Sequence, residues 1–260
     1  MVNKLFEEIA RLSQVEAIAL GGSRAGEAFD EKSDYDVYLY VKEEIPEDIR
    51  IEILSKYCDY MELGNHFWEL EDNCTLKNGV DIDILYRNLD DFTEDVASVV
   101  ERFGARTGYT TCMWHNLVNS KIICDKEGRF ESLQKRFRVE YPETLRRNII
   151  EKNRKLLSGK LPSYDGQIMK AVGRGDLVSV CHRTAAFMES YFDVIFALNR
   201  LTHPGEKRLV ELALRDAKIL PENFKQNVDK LYVDLYNNPL AVAEDIEEIV
   251  RELDKVLIMR

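Results

Sequence analysis

The sequence predicts an α+β protein in which a mixed β-sheet flanked by helices is followed by an α-helical bundle. In the first half of the chain, short apolar runs of strand length alternate with amphipathic stretches of helix length. From Tyr141 onward, apolar residues recur at helical spacing almost to the end of the chain, and Pro142 suits a helix start. This change of period predicts two domains, 1–140 and 141–260.

The first domain is expected to alternate between helices and strands. Runs of alternating polar and apolar residues indicate strands, and longer stretches with an apolar stripe indicate helices. In chain order, the predicted elements are a helix near 3–13, strands at 16–20 and 34–41, a helix near 47–60, a hairpin across 66–86, a helix near 89–104 and a short strand at 121–124.

The second domain is expected to be helical throughout. Phe187, Tyr191, Ile195 and Leu198 repeat at helical spacing, which is typical of a bundle core. The predicted helices lie near 143–157, 165–172, 176–201, 206–217, 222–236 and 239–258.

Composition and charge indicate where the protein acts and which partners it can bind. The first residues carry charges and no segment has the length of a membrane span, so we expect a cytoplasmic protein without a membrane partner. Five cysteines form no Cys-x-x-Cys pair and no zinc spacing with the histidines. A net charge of −11 disfavours a long nucleic acid as partner and attracts small cations.

The most informative segment runs from Gly21 to Tyr40. A strand breaks at Gly21-Gly22-Ser23, and glycines there let the backbone turn sharply and approach a ligand closely. After ten residues a strand begins in which Asp34 and Asp36 lie on the same face. Taken singly, the turn fits any tight bend, and the two carboxylates fit a solvated edge strand.

A second strand carries another pair of acids. In the run 80–86, Asp81 and Asp83 share one face and the apolar residues share the other. If this strand lies beside the first, three or four carboxylates converge, as a two-metal phosphoryl-transfer site requires.

The Gly-Gly-Ser turn, the Asp34-Tyr35-Asp36 motif and the later strand aspartate resemble the DNA-polymerase-β-like nucleotidyltransferase superfamily. The outline, a first domain followed by a helical one, resembles the bacterial aminoglycoside and lincosamide nucleotidyltransferases. The resemblance implies Mg²⁺ bound by Asp34, Asp36 and Asp83, and a nucleoside triphosphate held by the turn at Gly22, Ser23 and Arg24. Asp83 or Asp81 would be the third carboxylate and the general base.

The helical domain offers further candidates. Relatives place a lysine from this domain on the triphosphate, and Lys207, expected in the first turn of a helix, is the candidate here. Glu189 and Asp193, four residues apart on one helix, are candidates for binding an amine-bearing acceptor. Ordinary solvated charges are the alternative at all three positions.

The expected activity is transfer of a nucleoside monophosphate, by default AMP from ATP, to a hydroxyl of a small molecule such as an antibiotic, with release of pyrophosphate. The alternatives are nucleotidylation of a protein or RNA acceptor and nucleotide binding without catalysis. Relatives include monomers and homodimers, so either state is compatible with the sequence.

Overall fold

The structure is a computed structural model that describes residues 1–25, 33–67, 69–160 and 162–258; of Ser23 and Ala25 it describes the backbone alone. The chain divides into two compact units. The first unit contains residues 1–97 and 116–139, and the second contains 98–115 and 140–260. Residues 98–115, which the change of period places in the first domain, therefore belong to the second unit. The boundary predicted at 140/141 stays a prediction.

The first unit is built on a mixed sheet. Across the described residues it has six strands in the order β3-β4-β5-β2-β1-β6, with β2 and β5 parallel and all other neighbours antiparallel. The strands are β1 (Val15–Leu20), β2 (Tyr35–Val41), β3 (Cys58–Asn65), β4 (Glu71–Leu76), β5 (Asp81–Arg87) and β6 (Lys121–Asp125).

The helices of the first unit pack on both faces of this sheet. The core on one face combines Val37, Leu39 and Ile84 with apolar residues of the first helix, among them Leu5 and Phe6. The helices are α1 (Val2–Ala10), the short α2 (Gly22–Ala25), α3 (Glu47–Leu54), α4 (Leu89–Val100), α5 (Cys112–Asn119) and α6 (Arg129–Phe137), of which α4 and α5 continue into the second unit.

In the described residues, aromatic side chains pack against one end of the other face of the sheet. Tyr40 of β2 is fully buried, with its ring 5.4 Å from Phe92 of α4 and 4.6 Å from Phe130 of α6. Because side chains alternate along a strand, Tyr38 and Asp36 lie on this same face. Both are half-buried. The face therefore changes along β2 from an aromatic core to a polar surface.

The predicted fold class is confirmed, with differences in detail. The strand β3 includes residues predicted as the end of a helix near 47–60, because the chain ends α3 at Leu54 and pairs Cys58 with Leu76 of β4. The helices α5 and α6 were not predicted. Both are short, and short helices gain most of their stability from packing rather than from local sequence.

The second unit is a helical bundle around α9. This helix is buried on nearly all sides in its second half, and Phe187, Tyr191, Ile195 and Leu198 are each at most 2% exposed, as predicted for a bundle core. The helices that follow α6 are α7 (Glu143–Leu157), α8 (Tyr164–Gly173), α9 (Leu177–Leu198), α10 (Leu209–Asp216), α11 (Phe224–Asn237) and α12 (Val242–Ile258).

The segment 98–115 is held in this bundle by polar contacts. Asp193 of α9 accepts hydrogen bonds from the Thr110 amide at 3.0 Å and the Thr110 hydroxyl at 2.6 Å. Asn153 of α7 donates to the same carboxylate at 2.9 Å and accepts from the Gly108 amide at 3.1 Å.

Among the helices of the described residues, none is long and apolar enough to cross a membrane.

Candidate active site

The glycine turn after β1 packs directly against β2. The Gly21 amide donates to the Asp36 carbonyl at 2.8 Å, which ties the turn to the strand. A Cβ atom added at Gly21 would lie 2.2 Å from the Tyr38 ring, and one added at Gly22 would lie 1.7 Å from Oδ2 of Asp36. Gly22 also has a φ of +57°, a conformation that glycine adopts at little cost. Both glycines are therefore required by the close approach of the turn to β2.

The parallel pairing of β2 and β5 brings two acids together. In this register Asp36 lies opposite Asp83, and Tyr35 lies opposite Ile82. Register partners on adjacent strands point to the same face, so the carboxylates of Asp36 and Asp83 are neighbours on the polar surface. Asp81 lies two residues before Asp83 on β5 and points to the same face, but Asp81 is exposed, whereas Asp83 is half-buried.

The strand β4 supplies hydrogen bonds to both acids of β5. Asn73 lies opposite Asp83, and its Nδ2 donates to Oδ1 of Asp83 at 2.8 Å. Thr75 lies opposite Asp81, and its hydroxyl donates to Oδ1 of Asp81 at 2.8 Å. Each acid of β5 thus has a neutral hydrogen-bond donor beside it on β4.

Asp34 lies just before β2, where Arg24 fixes the backbone. The Arg24 Nε donates to the carbonyls of Ser33 at 2.7 Å and Asp34 at 3.1 Å. Its guanidinium stacks on the Tyr35 ring, with Cζ 3.8 Å from the ring centroid. Arg24 thereby links α2 to the start of β2 and sets the position from which the exposed Asp34 side chain projects. The side chain of Ser23 lies outside the described part.

A partly buried ion pair lies farther along the same face. Arg87 of β5 donates to both carboxylate oxygens of Glu69, at 2.7 and 2.6 Å, and its guanidinium lies 4.1 Å from the centroid of the Tyr38 ring. Arg87 is 7% exposed, and a guanidinium buried to this extent needs such a partner.

Glu71 of β4 is a further carboxylate of this face that the sequence did not point to. It lies two residues before Asn73 and is 4% exposed. Burial and the neighbouring charge of Asp83 raise its pKa above the usual range of glutamate, although the Phe67 amide donates to it and opposes the shift. Glu71, Asn73 and Thr75 do alternate along the strand, but the charged Asp72 between them hides the pattern.

The residues suit a hard divalent cation by donor chemistry, since carboxylate oxygens are the ligands that Mg²⁺ takes up. Because Gly22 has no Cβ, the Asp36 carboxylate lies against the glycine turn, in the space that a Cβ atom would fill. In the described part of the chain, no group of three or more His, Cys, Asp and Glu side chains is already arranged to hold a metal ion. The structure therefore brings Asp36 and Asp83 together as a pair and leaves Asp34 beside them at the strand entry.

Two predicted acceptor ligands lie in the second unit and differ in their surroundings. Asp193 is 2% exposed, and its carboxylate is occupied by Thr110 and Asn153. These contacts favour a structural role for Asp193, in place of the solvated position expected from the helix pattern. Glu189 is half-buried, which raises the pKa of its carboxyl, and the backbone of Gly108 packs against it.

Lys207 is exposed, but it is not in a helix. It lies in the turn before α10, which begins at Leu209 and not near residue 206 as predicted. Arg208 has a φ of +58°, a left-handed conformation that cannot continue a right-handed helix. Lys207 therefore does not lie in the first turn of a helix, where the sequence predicted it.

Comparison with known protein families identifies the domain in which this surface lies. Residues 2–104 match the family model described as a nucleotidyltransferase domain. This part of the chain is a nucleotidyltransferase domain. This domain includes the glycine turn, β2 and β5, so the resemblance seen in the sequence is confirmed. Residues 110–209 match a second model, described as a domain of unknown function, DUF4037. None of the curated proteins matches the chain.

Two solved structures are among those similar to this chain. A nucleotidyltransferase-like protein from Exiguobacterium sibiricum 255-15 is 13% identical, with 99% of this chain and 73% of that chain covered and a TM-score of 0.44. An aminoglycoside 6-adenyltransferase from Bacillus subtilis is 10% identical, with 99% and 90% covered and a TM-score of 0.31.

Proposed function

We propose that this nucleotidyltransferase moves AMP from ATP to a hydroxyl group of a small molecule in a Mg²⁺-dependent reaction that releases pyrophosphate. The observation that carries the proposal is that Asp36 and Asp83 lie opposite each other on parallel strands and that the Gly22 turn packs against Asp36. The pairing of two carboxylates beside a glycine turn in a nucleotidyltransferase domain supports phosphoryl transfer as their task.

The proposed roles follow from position. Asp34, Asp36 and Asp83 hold Mg²⁺, which supplies charge neutralisation for the phosphates when it is bound. The backbone at Gly22 and Ser23 binds the triphosphate, and Arg24 keeps this turn attached to the Asp34 backbone. The acceptor hydroxyl attacks the α-phosphorus, the bond to the pyrophosphate oxygen breaks, and the proton passes to a carboxylate of β5, Asp83 or Asp81.

The proposed acceptor class follows from the charge of the chain and from the surroundings of Glu189 and Asp193. A net charge of −11 favours a cationic or neutral small molecule over a polynucleotide. Half-buried Glu189 is the better-placed of the two predicted amine ligands, because Asp193 is occupied by its neighbours. Exposed Lys207 remains the candidate for the triphosphate in the second unit.

The experiment is pyrophosphate release by the full chain with each nucleoside triphosphate, Mg²⁺ and a panel of aminoglycosides and lincosamides, with a protein extract and RNA as further acceptors. We expect release with ATP and at least one small hydroxyl acceptor. ATP binding without pyrophosphate release across all acceptors contradicts catalysis, and label transferred to a polypeptide or RNA contradicts the small-molecule acceptor.

Asp36→Asn tests the site itself. We expect a fall in kcat of at least about 100-fold, because an amide is a poor ligand for Mg²⁺ and the two side chains have the same shape. Asp59→Asn is the matched control, since Asp59 is an exposed acid on a strand of the same sheet. It should keep full activity. Wild-type turnover in the Asp36→Asn variant would remove the basis for the metal assignment.

A further inference from the structure

Asn73 has a fixed position beside the candidate site. It lies opposite Asp83 in the antiparallel pairing of β4 with β5, and its side-chain amide donates to Oδ1 of Asp83 at 2.8 Å. Among the described residues, Asn73 is the hydrogen-bond partner of this carboxylate, and Oδ2 of Asp83 has none. One oxygen of Asp83 is thus occupied while the other stays available.

The orientation of the Asn73 amide is set by two residues of β3. The Nδ2 group of Asn65 donates to Oδ1 of Asn73 at 2.8 Å and to Oε2 of Glu62 at 3.3 Å. A carboxylate only accepts hydrogen bonds, so Glu62 requires the NH₂ group of Asn65 to face it. That group then also faces the carbonyl oxygen of Asn73, which leaves the NH₂ group of Asn73 facing Asp83. The chain Glu62, Asn65, Asn73 thus specifies a donor at Asp83.

The other acid of β5 has a less restrictive partner. Asp81 is exposed, and it accepts from the Thr75 hydroxyl at 2.8 Å. A hydroxyl rotates about its C–O bond and both donates and accepts, so Thr75 does not hold Asp81 in one orientation. The hydrogen bonds to Asp83 and Asp81 have the same length, but only the Asn73 amide holds its acid in one orientation.

We propose that Asn73 is a positioning residue that fixes the Asp83 carboxylate in one orientation, and thereby makes Asp83, not Asp81, the acid of β5 that binds the divalent cation with Asp36. The inference rests on the proposed function and adds a residue to it. Partners that orient metal-binding carboxylates typically contribute about 10–100-fold to metal affinity or activity.

The test measures Mn²⁺ binding to the full chain by electron paramagnetic resonance, without nucleotide or acceptor. Asn73→Leu removes the donor at similar volume and should weaken Mn²⁺ binding by about 10–100-fold. Thr75→Val is the matched control on the same strand and face, and it should change binding by less than about twofold. Thermal unfolding verifies that each variant folds.

A second variant acts on the orientation alone. Asn65→Leu leaves Asn73 in place but removes the group that sets its amide, so Mn²⁺ binding should weaken in the same direction and by less than with Asn73→Leu. This variant decides the question if Asn73→Leu does not fold. Unchanged binding in Asn65→Leu and in any folded Asn73→Leu overturns the proposal.

Two further outcomes also overturn it. A loss in Thr75→Val as large as in Asn73→Leu would show that Asp81 is the ligand, and a wild-type chain that does not bind Mn²⁺ has no cation site to position. Failure of the proposed function is distinguishable: wild-type Mn²⁺ binding that depends on Asn73, together with no pyrophosphate release for any acceptor, contradicts the reaction but not the role of Asn73.

Discussion

Gly22→Ala is the substitution whose effect can be worked out most fully from the structure. The added Cβ would lie 1.7 Å from Oδ2 and 2.7 Å from Cγ of Asp36, whereas Cβ contacts under 3.0 Å essentially do not occur. The Asp36 carboxylate and the turn must therefore separate by roughly 1.3 Å. A misplacement of about 1 Å in a catalytic group can reduce the rate by about 100-fold.

The same substitution also strains the backbone. Gly22 has a φ of +57°, and a left-handed conformation costs a residue with a Cβ roughly 1–2 kcal/mol. Gly79→Ala isolates this part of the effect. Gly79 has a φ of +80° in the turn between β4 and β5, but an added Cβ there meets nothing within 4 Å.

The assay is pyrophosphate release together with urea unfolding of both variants. Gly22→Ala should lower kcat/KM by at least about 100-fold, equivalent to about 2.7 kcal/mol, while remaining folded. Gly79→Ala should lose about 1–2 kcal/mol of stability and keep kcat/KM within about threefold. If Gly22→Ala is as active as Gly79→Ala, the close approach of the turn to Asp36 has no part in catalysis.

Two further predictions concern buried charge. Asp72 is fully buried and paired with Arg50, so Asp72→Ala should lower the free energy of unfolding by about 3–5 kcal/mol. Glu127→Ala breaks an exposed ion pair with Lys42 and should lower it by less than about 1 kcal/mol. Similar losses for the two variants in urea unfolding would contradict this difference. Burial raises the pKa of Asp193 to about 6, so its contribution to stability is full below the usual carboxyl pKa and is lost as pH rises through about 6. The free energy of unfolding of wild type relative to Asp193→Asn should therefore fall between about pH 4 and pH 7, and a constant difference would refute the burial argument.

The parts of the site that could be predicted from the sequence are those indicated by patterns within short segments. Alternation along 34–41 and 80–86 placed Asp36 and Asp83 on strands with their acids on one face, and the structure pairs these two residues in register. The glycine turn was equally visible, because two successive glycines after an apolar strand indicate a sharp bend.

The parts that were not predicted depend on contacts between distant residues. Asn73 lies beside Asp83 because β4 pairs with β5, and the local sequence does not show which strand pairs with β5. The sequence indicated Asp193 as a candidate acceptor ligand, yet Thr110, far away in sequence, buries its carboxylate. A polar residue on a helix can be buried where another segment provides hydrogen-bond donors for it.

The assignment of residues 98–115 to the second unit affects how the chain can be divided for expression. A fragment ending at residue 139 would keep this segment but lose Asn153 and Asp193, the side chains that bind Gly108 and Thr110. A fragment starting at residue 140 would contain both side chains without the backbone they hold. Each half produced by a single cut would thus expose polar groups that are paired in the whole chain, and exchanging the bundle between related enzymes would require grafting two separate stretches of sequence.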